Sequence, residues 1–167
     1  QYSHYDTALM TKLAVDECVR NLLCHGVRPD RIAVLDNFSW PDSLPGLNNP
    51  DAEYKLAQLV RSVRALYEIC LDYQIPLVSG KDSMKNDYKD KNFVISVPPT
   101  LLVTGIGLVE DVSKITRSSA PKDKNLLMYE VGLPAQGFKK SGDEGRVFSR
   151  ELEKHFKTQS LQRLDID

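Results

Sequence analysis

An α/β or α+β layered fold follows from three observations on this chain of 167 residues. Two long stretches carry apolar residues at helical spacing. Short apolar runs rich in Val and Ile stand between and after them. Segments bearing Gly, Pro, Asn and Ser separate the two kinds of element. The pattern alone does not choose between parallel and mixed strand pairing.

The first helix is read over residues 7–25, where Met10, Leu13, Ala14, Val15, Cys18, Val19, Leu22 and Leu23 make most of its circumference apolar. Gly26-Val-Arg-Pro29 stops it, with Gly past the end and Pro beyond. A buried strand follows at 32–35, then an irregular loop over 41–50 holding Pro, Gly, Asn and Ser. The second helix spans about 51–73, with Leu56, Leu59, Val60, Val63, Leu66, Tyr67 and Cys70 at helical spacing and Asp51 as a candidate cap. Strands are read at 75–78, 93–97 and 101–109, with Pro98-Pro99 breaking the last two apart. The polar stretch 113–125 marks a boundary. Beyond it, 126–131 reads as a strand, 132–145 as a Gly-bearing loop and 149–157 as a short helix. Domains are therefore expected at 1–115 and 116–167.

Three polar segments carry the chemistry. In Leu77-Val-Ser-Gly-Lys-Asp-Ser-Met-Lys-Asn-Asp87 an apolar strand runs into a cation, carboxylates, a hydroxyl and an amide. That mix suits a Mg-nucleotide or phosphorylated substrate, and Gly80 permits a sharp turn or close approach of a ligand. The same stretch also reads as a strand-to-loop turn with solvated charges. On the first helix, Lys12, Asp16 and Arg20 cluster as a solvent stripe. Glu17 and Asn21 sit one turn apart beside Met10 and Ala14, on a face expected to be partly covered. A carboxylate there needs a partner, either a metal ion or a basic side chain from another element. In the third segment Asp36-Asn37 end the strand 32–35, where α/β sheets gather ligands and where turns also start.

Together the segments Ala14-Val-Asp-Glu-Cys-Val-Arg-Asn21, Gly26-Val-Arg-Pro-Asp30, Leu35-Asp-Asn-Phe-Ser-Trp40, Val78-Ser-Gly-Lys-Asp-Ser83 and Pro98-Pro-Thr-Leu-Leu-Val-Thr-Gly-Ile-Gly107 resemble phosphoribosylformylglycinamidine synthase. The resemblance runs in order over about residues 2–131, and is to the second of that enzyme's two homologous halves. It implies an aminoimidazole-ribonucleotide-synthetase-like N-terminal domain: a sheet of about four strands with helices on one face, then the start of a C-terminal α/β domain. In that family two such sheets pair into a barrel-like core with nucleotide in the clefts. The resemblance implies an ATP-dependent amidoligase of purine biosynthesis, turning formylglycinamide ribonucleotide and glutamine-derived ammonia into the amidine, with Mg²⁺ and ATP/ADP as cofactors. It implies metal-ligand roles for Glu17 and Asn21, with Asp87 as a further candidate. Lys81, Ser83, Asn86 and Asp36 are implied for nucleotide or phosphate, and Asp82 ranks below Asp36 and Asp87. It implies no catalytic residue here, because the family's acid/base His belongs to the other half. The alternative it leaves is a non-catalytic half that holds Mg-ADP statically as scaffold. The chain departs from the family pattern at Ser39-Trp-Pro-Asp42, where Gly is common after Trp, and again over 132–167.

Composition agrees with a cytoplasmic enzyme piece. A net charge of −1 gives no electrostatic case for nucleic acid or anionic membrane, and the chain has neither a long apolar run nor a secretory signal. Cys18, Cys24 and Cys70 are odd in number and read as free buried thiols, and no Cys/His spacing suggests zinc. His25 is read as a helix-end dipole partner. The chain starts at Gln1 rather than Met, as a piece of a longer protein would, and the resemblance implies strands upstream. The expected partners are the rest of the synthase and a glutaminase domain or subunit. An uncovered apolar sheet face predicts self-association. The piece alone is expected to be inactive.

Overall fold

The computed structural model describes residues 2–116, all within one compact unit, Gln1–Ser118. The expectations placed on 117–167 lie outside the described residues.

Helix α1 (Thr7–Cys24) starts at Asp6, whose side chain accepts the Leu9 N–H at 2.8 Å. That bond satisfies one of the donors the first turn leaves orphaned. The helix ends at Gly26, where φ is +89°, as the Gly stop predicts. Strand β1 (Ile32–Ser39) follows, then α2 (Ala52–Asp72), β2 (Leu77–Ser83), the short pair β3 (Tyr88–Lys89) and β4 (Val94–Ile95), and β5 (Thr100–Gly107). Asp51 stands before α2 without capping it; its carboxylate pairs with Lys55 at 3.0 Å instead.

The main sheet has the order β2-β1-β5. β1 and β2 are parallel, while β1 and β5 are antiparallel. Pairing is thus mixed, which hydrophobic pattern could not decide. Among the described residues this sheet has three strands. The run expected as a further strand at 93–97 yields only Val94–Ile95, paired with Tyr88–Lys89 as a separate hairpin. β1 and β2 also outrun their apolar cores. Asp36 lies opposite Gly80, Asn37 opposite Lys81 and Ser39 opposite Ser83. Residues expected in a loop are therefore in the ladder, because backbone pairing is indifferent to side-chain polarity once the register is set by Val34 and Leu77.

Both helices cover one face of the sheet. On β1, Ile32, Val34 and Phe38 point into the core with Trp40 beyond the strand end, and Val34 and Trp40 are fully buried. Each such side chain contributes roughly 1.5–3 kcal/mol by leaving water. On β5, Gly105 and Gly107 admit α1 and the segment after it. A Cβ at Gly105 would meet Leu22 and Cys18, and one at Gly107 would meet Val27 at 2.3 Å.

The seam between α1 and α2 is polar. Thr11 and Ser62 share a hydroxyl hydrogen bond, and Thr7 donates to the Gln58 backbone carbonyl at 3.0 Å. At its rim Lys12 pairs with Glu68 at 2.9 Å, and Tyr73 donates to Asp16 at 2.7 Å. This corrects the reading of α1. Lys12 and Asp16 face α2 rather than open solvent, while Glu17 and Asn21 are exposed. The cause is that α1 packs on the sheet and on α2, and Glu17 and Asn21 project at the rim beside β5, outside both packed contacts. By the same rotation α2 turns Ser62, Ala65 and Ile69 inward and leaves Leu56, Val60, Val63 and Tyr67 exposed. On the sheet face away from the helices, Leu102 (59% exposed) and Ile106 (55%) stand open.

Candidate functional site

The residues singled out by sequence fall into three places. The first is the flank of α1 along β5. Glu17 and Asn21, one helical turn apart, project from it, and the Glu17 carboxylate makes no hydrogen bond or ion pair among the described residues. Beside Glu17 opens a cavity of ≈ 170 Å³ lined by Tyr2, Met10, Leu13, Ala14, Pro99 and Thr100. Its walls mix apolar side chains, one aromatic ring and one proline with the polar Glu17 and Thr100. Thr100 donates its hydroxyl proton to the Pro98 carbonyl at 3.0 Å.

The second place lies across the C-terminal ends of β1 and β2, on the sheet face away from the helices. Ser39 and Ser83 are register partners, so their hydroxyls stand side by side. Lys81 donates to Ser83 Oγ at 2.6 Å, and Asn86 donates to Ser39 Oγ at 2.7 Å. Lys81, Ser83 and Asn86 are thus brought together, with Ser39 joining them. Sequence reasoning missed Ser39, because only the parallel register shows it beside Ser83. The group offers an ammonium, two hydroxyls and an amide, donors suited to the oxygens of an anion. The loop behind it is fixed by backbone bonds from Trp40 N to Ser83 O and from Asn86 N to Trp40 O. Trp40 itself is anchored by its indole N–H on the Lys55 carbonyl at 3.0 Å. That anchor sets the conformation where the expected Gly is replaced by Pro41.

The third place is on the helix side, in a groove of ≈ 330 Å³ between α2 and the β1–β2 pair, lined by Asp36, Phe38, Val63, Tyr67, Leu77 and Asp82. Burial pushes the Asp36 carboxyl above its ordinary 3.8; its own backbone N–H pulls the other way, and Asp82 adds to the rise. Burial raises the Cys70 thiol, with Asp36 adding to it. Gly80 is explained here. A Cβ on it would lie 2.1 Å from Asp36 Oδ1, so the missing side chain makes room for this carboxylate rather than for a sharp turn. Gly80 does not have positive φ.

Asp87 lies in none of these places. Its Oδ2 accepts from Asp42 N at 3.1 Å, and its Oδ1 accepts from Ser96 Oγ at 3.1 Å and Val97 N at 3.2 Å. Both oxygens tie the hairpin to the loop after β1, a holding role that leaves it away from Glu17. Among the described residues no three His, Cys, Asp or Glu side chains come together to hold a metal ion. Glu17 and Asn21 offer two oxygen donors, which suits Mg²⁺, an ion that keeps several waters and takes few protein ligands. His25 does not cap α1 through its ring; Nδ1 lies 2.8 Å from the Thr116 carbonyl oxygen. All three cysteines are free, with Cys70 buried, Cys18 half-buried and Cys24 exposed, so Cys24 departs from the expectation of burial. No helix among the described residues is long and apolar enough to cross a membrane.

Comparison with known proteins bears on the family and the fold. Residues 1–109 match the family described as AIR synthase related protein, N-terminal domain. The chain is 34% identical over 133 residues to the phosphoribosylformylglycinamidine synthase subunit PurL of Aquifex aeolicus, covering 80% of this chain and 16% of that protein. It is 34% identical over 124 residues to the subunit of the same name from Prochlorococcus marinus, covering 74% and 14%. Among solved structures, that of PurLQS from Thermotoga maritima superposes with a TM-score of 0.53 at 26% identity, covering 68% of this chain and 17% of that one. The chain thus spans about a sixth of the length of the curated relatives it matches. With its first 109 residues carrying the match and its layered sheet agreeing in fold, the chain belongs to the AIR synthase related family, through that family's N-terminal domain.

Proposed function

We propose that this chain is a nucleotide-binding piece of an ATP-dependent amidoligase of purine biosynthesis, phosphoribosylformylglycinamidine synthase. The observation that carries the reading is the pair Glu17 and Asn21: exposed on one flank of α1, beside a cavity, with Glu17 unpaired among the described residues. Polar residues are ordinary on an exposed helix flank; what supports the reading is that Glu17 lines the cavity and that two oxygen donors one turn apart suit a Mg-nucleotide. In the relatives named as synthase subunits the matching stretch is about a sixth of the protein. The substrate, formylglycinamide ribonucleotide, and the glutaminase partner therefore belong to the parent protein.

Bound Mg²⁺ would neutralise triphosphate charge. Glu17 and Asn21 would hold and orient the nucleotide from the α1 flank. Lys81, Ser39, Ser83 and Asn86 form a separate donor group at the strand ends and would take an anionic oxygen cluster, phosphate of nucleotide or of substrate. Asp36 serves the groove on the helix side. It does not line the cavity beside Glu17, so it is not grouped with the metal ligands. Leu102 and Ile106 on the open sheet face are where self-association, or pairing with the other half, would bury apolar surface. The division at 115/116 is kept as the domain boundary of this reading.

Calorimetric titration of Mg-ADP and Mg-ATP into the chain, with Glu17→Ala as control, tests the reading. Saturable Mg-dependent binding that the variant loses is the expected result. Retention of full binding by Glu17→Ala would overturn the assignment. Binding of ADP without ATP turnover in the intact parent would favour the scaffold role over the catalytic one.

A further inference from the structure

We infer that the groove between α2 and the β1–β2 pair binds an apolar organic cation, a primary amine carried on a hydrocarbon or aromatic body. The groove shares no lining residue with the cavity beside Glu17, so this inference does not depend on the nucleotide reading.

Three observations carry it. The first is the make-up of the groove. At ≈ 330 Å³ it has the size of a small-molecule site, and like such sites it joins mostly apolar walls to few polar groups. Phe38 and Leu66 are buried at its floor. Val63 (48% exposed), Tyr67 (66%), Leu77 (42%) and Met84 (40%) stand open around its rim. The second is charge. Asp36 and Asp82 are the only charged residues in the lining, and neither forms an ion pair among the described residues. Burial and the Asp82 charge both disfavour ionisation of Asp36, so a bound cation relieves a cost that the folded chain already carries. The third is position. Asp36 pairs with Gly80, and Phe38 with Asp82, so the two acids are diagonal neighbours on adjoining strands. With no side chain on Gly80, the Asp36 carboxylate leans over β2: a Cβ there would lie 2.1 Å from its Oδ1. The glycine thus lets two like charges approach each other inside an apolar groove, an arrangement that a cation between them stabilises.

The same make-up sets the ligand class. A calcium or magnesium ion asks for about six oxygens, carboxylate, carbonyl or water. The groove supplies its two carboxylates and the Tyr67 phenol, and a hydrated ion leaves the apolar rim in water. An ammonium head has N–H donors enough for both carboxylates. Its hydrocarbon or aromatic body would cover Val63, Leu77 and the Tyr67 ring.

The test titrates three probes into the full chain, followed by NMR of the methyl and amide groups. They are phenethylamine, its neutral counterpart phenethyl alcohol, and methylamine, which carries the charge without the body. Phenethylamine is expected to give saturable shifts at Val63, Leu66 and Leu77, and to bind about tenfold more tightly than either of the others, as a hydrogen bond to a charged group allows. Asp82→Asn, a change at an exposed side chain outside the ion pairs of the fold, should weaken the amine several-fold and leave the alcohol unchanged. Tyr67→Ala should weaken amine and alcohol alike, and Glu17→Ala should bind the amine as the wild type does. Equal affinity for amine and alcohol, absence of binding, or shifts that map away from the groove overturns the proposal. So does undiminished binding of the amine by Asp82→Asn, and so does displacement of the amine by an equal concentration of Mg²⁺, which would make the groove a metal site. The comparison of probes on the wild-type chain decides the question should a variant not fold.

Discussion

Gly80→Ala tests whether the glycine of the Ser79–Ser83 segment makes room for a ligand or for Asp36. The added Cβ would sit 2.1 Å from Asp36 Oδ1, 3.0 Å from Cγ and 3.3 Å from Oδ2, while ordinary contact begins at 3.4 Å. All three atoms belong to one short side chain, so the clash has two exits. Asp36 can rotate, losing the bond to its own backbone N–H and turning within a groove that also holds Asp82. Otherwise β2 must move off β1 where Asp36 and Gly80 are paired. Overpacking of this kind costs about 1–3 kcal/mol. Set against it is a gain of about 0.4–1 kcal/mol from the stiffer unfolded chain, available because Gly80 does not have positive φ. The net expectation is a loss of about 1–2 kcal/mol, or roughly 4–16 °C in melting temperature at about 4–8 °C per kcal/mol for a domain of about 100 residues. In an Asp36→Ala background the obstructing atoms are gone, and Gly80→Ala should become neutral or stabilising. Urea unfolding of the four proteins in the cycle should give a coupling of about 2 kcal/mol. A coupling below about 0.5 kcal/mol, the limit of simple additivity, would refute the reasoning. Mg-ADP affinity of Gly80→Ala should equal that of the wild type, since the glycine faces the α2 groove and not the Glu17 flank.

Glu17→Ala should leave stability within about 0.5 kcal/mol of the wild type, because the carboxylate has no partner to lose. At a hundredfold excess over Kd, Mg-ADP should stabilise the wild type by about 2.7 kcal/mol and the variant by none, read as a melting shift by scanning fluorimetry. Ser62→Ala should cost about 1 kcal/mol in urea unfolding: Thr11 keeps its donation to the Thr7 carbonyl at 2.8 Å and loses only the hydroxyl partner. Asp36→Asn should change the pH dependence. Burial holds the folded carboxyl above 3.8, so the folded state keeps its proton where the unfolded state has lost it, and stability falls as pH rises through that window. The asparagine has no such decline. The variant should therefore gain on the wild type as pH rises past the ordinary carboxylate value of 3.8, and an unfolding midpoint difference that is constant with pH would count against it.

The elements that were legible are those whose pattern states their environment. Periodicity placed α1, which begins at Thr7, and α2, which begins at Ala52, to within about a residue, and Gly26 marked a true helix end. What periodicity could not supply was the direction each apolar stripe faces. The stripe Leu56, Val60, Val63 and Tyr67 on α2 reads as a core face, yet these residues are exposed, because α2 turns its small residues Ser62 and Ala65 toward α1. Close helix contact selects small and polar residues that a hydrophobicity count ignores. Strand length failed for a related reason. β1 continues through Asp36-Asn37 because its register with β2 and β5 is already fixed, and composition at the strand end does not report that.

The candidate site was legible as a list and illegible as an arrangement. Sequence supplied Glu17 and Asn21 on the first helix, and Asp36 together with the 79–87 segment as residues that could line one cleft, since both follow short apolar strands. Strand alternation separates them. Asp36 and Asp82 are register neighbours on the helix side, while Lys81 and Ser83, each one residue out of phase with Asp82, point to the opposite face. Asp87 is consumed by the hairpin that follows. Asp36 lines the groove under α2 while Glu17 lines the cavity along β5, and the two openings share no lining residue, so a metal at Glu17 does not take Asp36 as its second carboxylate. Any further acidic ligand for a metal at Glu17 must come from a segment that reaches the outer edge of β5, which among the described residues has no strand beside it. This makes the β5 edge, rather than the Ser79–Ser83 segment, the place where a neighbouring segment should change metal affinity. If the chain works within a longer synthase as proposed, Mg-ADP should bind the wild-type sequence more strongly there than in this chain alone, with Glu17→Ala unrescued.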